Sequence, residues 1–480
     1  MKKIIFILFA FLSITTQAQD KKWTLQECVN YALDNNISVK QSELDLQNAE
    51  LNKKDAFGNF LPSLNASGSH SWNIGLNQNI TTGLLENQTT QFSSLGLNSS
   101  VDIYKGLRNF NQLRRSNLEI LAGQYQLDNI KDNMSLNIAN AFLQILFNKE
   151  QLKVLQAQQE ITQQELQRTN DLVEAGSLPR GDLLEIQATI ATQEQQVVVA
   201  ENAISLSKIS LAQLLLLEDY ETFDIVDNEY QVPPTNILNE SPKTIIAKAK
   251  EARYEIKIAE NNSEIAAYNL KIAKGALQPT LSGFYSYSTR ASYSDQITGF
   301  SVDSSNPTTT TQIGVVEGTG QSVFNTSPNL NPILGGPDPI FDQFSANDGH
   351  NFGVQLSIPI FNGFAVKNNI SRSKINLEST KYQLQQANLD LETNVYQAYN
   401  DAKGTLKAYE AALKTEAARR EAFNYSQERY NVGMLNAFDF SQSKNRLENA
   451  ESEVVRTKYD YIFKLKVLEF YFGIPITDLN

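Results

Sequence analysis

Gly176-Ser177-Leu178-Pro179-Arg180-Gly181-Asp182 begins 70 residues after Gly106, and Gly433-Met434-Leu435-Asn436-Ala437-Phe438-Asp439 begins 70 residues after Gly363. A single offset of 257 carries Gly176 onto Gly433, Leu178 onto Leu435, Asp182 onto Asp439 and Leu211 onto Leu468. The intervening stretches are helix-forming, and at 1.5 Å rise per residue each leg would reach about 105 Å. A compact domain spans far less. The chain is a duplicated long-helix protein in which the length of each leg is conserved between the two copies.

The repeat extends upstream. Asn52, Lys54, Ala56, Gly58, Pro62 and Leu64 match Asn269, Lys271, Ala273, Gly275, Pro279 and Leu281 at an offset of 217. The change from 217 to 257 locates a 40-residue insertion in the second copy, between Ala291 and His350. Its Ser, Thr, Gly, Asn and Pro content predicts a long flexible loop over 291–349. The matching loop of the first copy is short, about Gly75 to Gln91.

Each loop joins two segments of period 2. Leu64, Ala66, Gly68, His70, Trp72 and Ile74 share one face, with Ser63, Asn65, Ser67, Ser69, Ser71 and Asn73 on the other. Leu95, Leu97, Val101 and Ile103 repeat the pattern, as do Leu281, Tyr285 and Tyr287, and then Phe352, Val354, Leu356, Ile358 and Ile360. Four strands of about ten residues, apolar on one face and small-polar on the other, fit tilted transmembrane strands around a wet interior. An antiparallel sheet on a soluble core has the same pattern, and alternation alone leaves both open. If embedded, four strands cannot close a barrel, and open edges in lipid are prohibitive. Three chains would supply 12 strands and no edge; two or four would also close. Pro359 is awkward in a paired strand but stands near a strand end.

The helical legs obey a heptad. Leu183, Ile190, Val197, Ile204 and Leu211 recur every seven residues, and so do Phe440, Leu447, Val454, Tyr461 and Leu468. The descending leg shows Ile138, Ile145, Leu152, Leu166 and Val173, interrupted by Gln159. Such stripes are packing faces of helices in a supercoil. From Asp182 the return leg runs only to about residue 217, before the charged, Pro-containing segment 218–240. A new helix is predicted from Ser241-Pro242, an N-cap followed by proline at the first helical position, to Ala276. Two shorter helices end to end would then match one long leg. The N-terminal helix opens on the capping-box pattern Thr24-Leu25-Gln26-Glu27. The reading divides the chain into repeat 1 (19–217), an equatorial linker (218–240) and repeat 2 (241–480).

Residues 1–18 read as a signal peptide: Lys2 and Lys3, the apolar core Ile4–Ile14, then Thr16-Gln17-Ala18. That core is too short for a membrane helix, which needs about 20 apolar residues. With 41 basic and 53 acidic residues the net charge is −12, against a nucleic-acid partner. Cys28 is the single cysteine, so no disulfide or thiolate cluster forms within a chain. His70 and His350 are the only histidines, and no P-loop, GxSxG or HExxH motif is present. No catalytic residue, cofactor or metal site is expected, and the acidic pairs on the helices read as solvated faces.

On duplicated halves, a proline before each first strand (Pro62, Pro279) and a tip pattern of Gly followed six residues later by Asp, the chain resembles the TolC-like outer-membrane efflux protein family over essentially its whole mature length. The resemblance implies an α+β membrane protein: a homotrimeric, 12-stranded outer-membrane β-barrel continued by a long α-helical coiled-coil barrel across the periplasm. It implies an exit duct for tripartite efflux of small molecules or, alternatively, for type I protein secretion. The implied partners are a periplasmic adaptor (membrane fusion protein) docked tip to tip, an inner-membrane transporter beyond it, and outer-membrane lipid. A periplasmic coiled-coil adaptor is the reading from a different class, but adaptors carry one hairpin and here two alternate with two strand pairs.

The tip residues have physical roles of their own. Gly176 and Gly433 supply positive φ where a helix reverses. Leu178 and Leu435 present apolar knobs, either for adaptor docking or to plug their own turns. Asp182 and Asp439 fall in the first turn of each return helix, where a carboxylate offsets the helix dipole. By the resemblance, Asp182 and Tyr430 take entrance-gate positions, with Asp439 adding to an acidic ring. Leu435 stands where the family has Arg and Gln442 where it has a carboxylate, so the closed-state network differs.

Overall fold

The computed structural model describes residues 22–78, 83–227, 232 and 237–474. The signal-peptide reading of 1–18 and parts of the 218–240 linker lie outside the described residues. The chain begins β1 (Lys22–Trp23), α1 (Leu25–Asn35), α2 (Ile37–Gly58), β2 (Ser63–Gln78), β3 (Leu85–Lys105), α3 (Arg108–Glu174), α4 (Arg180–Leu215) and β4 (Asp224–Ile225). It continues with α5 (Pro242–Ala252), α6 (Tyr254–Gly275), β5 (Thr280–Ser292), β6 (Gln296–Val302), β7 (Thr308–Val315), β8 (Ser322–Pro328), β9 (Leu330–Gly335), α7 (Ile340–Ala346), β10 (Gly349–Ser357), α8 (Ala365–Asn431) and α9 (Ala437–Phe472). The repeat is kept residue for residue. The long legs α3 and α8 are each 67 residues, and the return helices α4 and α9 are each 36. The pairs α1/α5 and α2/α6 match at 11 and 22.

The helix expected unbroken from Pro242 to Ala276 is two helices. It breaks at Arg253, whose ψ of 130° is extended. The guanidinium is only 3 % exposed, stacks 3.8 Å over Phe470, and bonds Glu255 and Asp132. Burying a charge requires such complete pairing, and the extended residue lets the side chain reach it. The first copy breaks at the same repeat position. Asn36 accepts a bond from the Ser38 amide (2.8 Å) and donates one to the Leu214 carbonyl (3.3 Å).

The chain forms two compact units, each assembled from both repeats. The described residues of the first fall within 22–52, 115–267 and 374–474. One apolar cluster joins α1, α3, α4 and α9 through Cys28, Ile138, Ile145, Leu211, Leu215 and Ile462. A second joins α5, α6, α8 and α9 through Ile245, Ile256, Val395, Leu465 and Leu468. Full burial of each such aliphatic side chain contributes about 1.5–3 kcal/mol. The heptad residues Ile138, Ile145, Leu211, Tyr461 and Leu468 are all buried, as their spacing requires. Part of the linker is anchored here, since β4 pairs in parallel with β1. Burial alone would raise the Asp224 carboxyl. Bonds from Lys149 (2.8 Å) and Lys208 (2.9 Å) instead hold it below its ordinary value.

The second unit, 53–114 and 268–373, holds an antiparallel sheet of order β10-β5-β3-β2. Among the described residues, its outer strands β10 and β2 each leave one edge unpaired. The strands exceed the expected length: β2 has 16 residues and β3 has 21, so the first hairpin extends beyond the last β3–β5 pair, Phe92 with Ser292. Pro62 and Pro279 stand immediately before the first residues of β2 and β5, and Pro359 lies beyond the end of β10. The expected long loop over 291–349 is instead ordered into two ladders, β6–β9 and β7–β8, followed by α7. Runs of Thr, Ile, Val and Phe between turn residues favour strands over loop. Where β10 stops, α7 covers the edge of β5. Gln343 bonds both the amide (2.8 Å) and the carbonyl (2.9 Å) of Ser292, and Asn347 donates to the Arg290 carbonyl.

Candidate functional site

The two helical reversals, α3 to α4 and α8 to α9, are built from equivalent residues. Gly176 has φ 72° and Gly433 φ 75°, a region that costs an L-residue about 1–2 kcal/mol. At the first tip the amide of Ser177 donates to the Leu172 carbonyl (2.8 Å), and at the second Met434 donates to the Arg429 carbonyl (2.8 Å). These bonds close the carbonyls that a helix end leaves open.

The return helices start differently. Pro179 is the N-cap of α4 and supplies no side-chain bond, while the amide of Asp182 donates to the Pro179 carbonyl (3.1 Å). Asn436 is the N-cap of α9, accepting the Asp439 amide at 2.8 Å and donating to the Asp439 carboxylate at 2.9 Å. Asp439 is thus committed to its own cap. Both Asp residues sit in a first helical turn, where the dipole favours them.

Tyr430 stacks on Phe440 with centroids 4.5 Å apart and planes 9° from parallel. Phe423, Phe440 and Leu447 form a buried cluster, with Tyr430 and Leu435 packed against it. Leu435 is half-buried against this cluster. The apolar groups the second tip does expose are Val432, Met434 and Phe438, at 69 %, 70 % and 67 %. Leu178 is half-buried. Burial pushes the Tyr430 phenol up; the charges of Asp182 and Glu165 add to the shift, while Thr169 and Arg168 oppose it. Asp182 and Tyr430, from opposite repeats, therefore share one electrostatic neighbourhood.

The family model described as outer membrane efflux protein matches residues 28–215 and 341–473, covering both hairpins and both tips. The chain belongs to the outer membrane efflux protein family. Outer membrane protein TolC of Escherichia coli (strain K12) is 22 % identical over 471 residues, spanning 96 % of this chain and 84 % of that protein. The crystal structure of VceC from Vibrio cholerae has the same fold, with TM-score 0.74 and 14 % identity over 94 % of this chain and 96 % of that one. The outer-membrane channel OprN is similar at TM-score 0.75 and 16 % identity, covering 94 % and 90 %. This efflux protein is an outer-membrane channel and not an enzyme. Among its described residues, no group of three or more His, Cys, Asp or Glu could hold a metal ion.

The sequence reading missed how this efflux protein ties its two hairpins together near the tips. Lys444 on α9 is 5 % exposed and donates to Thr162 and Glu165 of α3, both at 2.7 Å. Gln158 reaches the Glu448 carbonyl and the Glu451 carboxylate, Gln151 reaches Ser452, and Arg168 bonds Asn431 at 2.6 Å. From α4, Gln193 bonds Glu448 at 3.1 Å. Burial pushes the Glu448 carboxyl up, countered by the Lys444 charge and the Gln193 bond. An amide-rich groove of about 810 Å³ lies along this joint, lined in part by Asn148, Gln195 and Asn449. The signal was present: Gln151, Gln158 and Glu165 recur every seven residues, one position ahead of the apolar heptad that Gln159 interrupts.

Proposed function

We propose that the protein is the passive exit duct of a tripartite pump, conducting small molecules from a periplasmic adaptor to the exterior. Three copies pool their four-stranded sheets into one 12-stranded barrel, and their helices continue it through the periplasm. The observation that carries this reading is the sheet β10-β5-β3-β2 with two open edges, because an open edge is not tolerated in hydrocarbon. Uncovered Val198, Val199, Leu206 and Ile209 along α4 add support, since helices of neighbouring copies would cover them. Transport energy comes from an inner-membrane transporter through the adaptor.

Asp182 and Tyr430 are the entrance-gate residues in this reading, and Asp439 serves there as a cap. Docking uses Gly176 and Gly433 to form the reversals and Leu178 as a first-tip contact. At the second tip the exposed Val432, Met434 and Phe438 join Leu435 in the docking surface. Converting the exposed three to Asp is expected to lower export at least tenfold while the level of assembled protein in the outer membrane stays the same. Unchanged export removes the docking role, and a wild-type protein recovered as soluble monomer removes the duct. Comparing secreted proteins with effluxed small molecules in a deletion strain separates tripartite efflux from type I secretion.

A further inference from the structure

The repeat relates the interior of the sheet to its edges. The offset of 257 carries β3 onto β10, and the offset of 217 carries β2 onto β5. The ladder β3–β5 inside the chain therefore has a counterpart, β10–β2, which one chain leaves unmade because those are its outer strands. Its register follows by moving each observed pair through the two offsets. Leu95 with Thr289 becomes Phe352 with Trp72; Leu97 with Tyr287 becomes Val354 with His70; Ser99 with Tyr285 becomes Leu356 with Gly68.

We propose that neighbouring copies join β10 of one to β2 of the next in this register, with Gly363 of one seated against Gly58 of the next. The proposal rests on the barrel closure argued above and specifies its seam. Three observations support it. Inside the chain, Gly106 and Gly275 meet backbone to backbone, and a Cβ on either would overlap the carbonyl of the other. Their repeat equivalents, Gly363 and Gly58, face open space in the single chain. Gly58 has no positive φ to require glycine, so its lack of a side chain is unexplained until a second copy is placed there.

Next to the glycine contact, Tyr104 bonds Gln278. The equivalent residues are Phe361 and Leu61, exposed at 75 % and 53%. A polar pair inside the chain is thus replaced at the seam by an apolar pair, each member uncovered until the copies meet. Higher in the ladder, Ser286 bonds Asn98 at 2.7 Å. The equivalents Ser69 and Gln355 preserve that complementarity.

Two experiments on the full-length protein in outer membranes test this. Cysteine pairs Phe352→Cys with Trp72→Cys and Leu356→Cys with Gly68→Cys are oxidised and compared with pairs shifted by two residues, Phe352→Cys with His70→Cys and Leu356→Cys with Ala66→Cys. The in-register pairs are expected to give disulfide-linked multimers at least tenfold more than the shifted pairs. Preferential linkage of the shifted pairs, or of neither set in a protein that still assembles, overturns the register. In the second experiment, Gly58→Leu is expected to fold, since the single chain has room, yet to lose at least nine-tenths of its multimer. Normal assembly of Gly58→Leu overturns the glycine contact. Failure of the barrel reading is separate, because the wild-type chain itself would then show no multimer by amine cross-linking.

Discussion

The two tips share a backbone and differ in what holds them. The second is self-supporting: Asn436 caps its return helix, and Phe423, Tyr430, Leu435, Phe440 and Leu447 pack inside its own hairpin. The first turns at Pro179 without a side-chain cap, and the described residues show no comparable buried cluster near its tip. What ties it down is a polar joint to the second hairpin through Gln158, Thr162, Glu165 and Arg168. Farther along the same helices, Ile138, Phe142 and Ile145 pack with Val455, Tyr459 and Ile462 in an apolar cluster. An apolar contact is non-directional and costly to open, whereas hydrogen bonds can be exchanged with water at a small net cost. The difference leaves the more readily separated joint beside the tips.

The largest test of this contrast is Lys444→Met. It leaves the half-buried Glu165 without its charged partner; breaking a fully buried pair costs about 3–5 kcal/mol, and this partly exposed one less. Hydrogen exchange is expected to rise in the last turns of α3 and the first of α4, with α8 and α9 changed less. Equal effects on both hairpins would erase the asymmetry. Glycine substitutions should show where the tips are alike. Gly176→Ala and Gly433→Ala each incur the positive-φ penalty of about 1–2 kcal/mol, read as matched losses of melting temperature in detergent. Caps should show where they differ. Asn436→Ala removes a bonded N-cap at about 1 kcal/mol, whereas Pro179→Ala removes no side-chain bond and should change stability by under about 0.5 kcal/mol. The smallest effect is electrostatic. Burial raises the Glu448 carboxyl above its ordinary 4.5, so the folded state holds this proton more tightly than the unfolded state. Its contribution is most favourable below 4.5 and declines as pH rises through the raised value. Glu448→Gln should flatten that decline, measured as melting temperature against pH.

Local order was legible wherever it depended on spacing. The heptads gave the buried faces of α4 and α9, and Thr24 and Ser241 marked helix starts that carry the expected caps. The glycines of the tips marked reversals because no other residue takes that φ cheaply. Composition misled over 291–349, since Ser, Thr and Asn serve in loops and in exposed strands alike, and alternation was too short to separate them. The break at Arg253 was hidden because its cause, a pocket formed by Phe470 and Asp132, lies far away in sequence.

By itself the sequence determined the duplication, the equal legs, the alternating strands and the residues of both tips, because these follow from periodicity and from local backbone chemistry. Only the tertiary structure decided which tip residues pack against Phe440, where Lys444 finds its partners, and which strands are left at the edges. Those outcomes depend on contacts between residues brought together from opposite repeats, and no local pattern encodes which distant neighbour arrives.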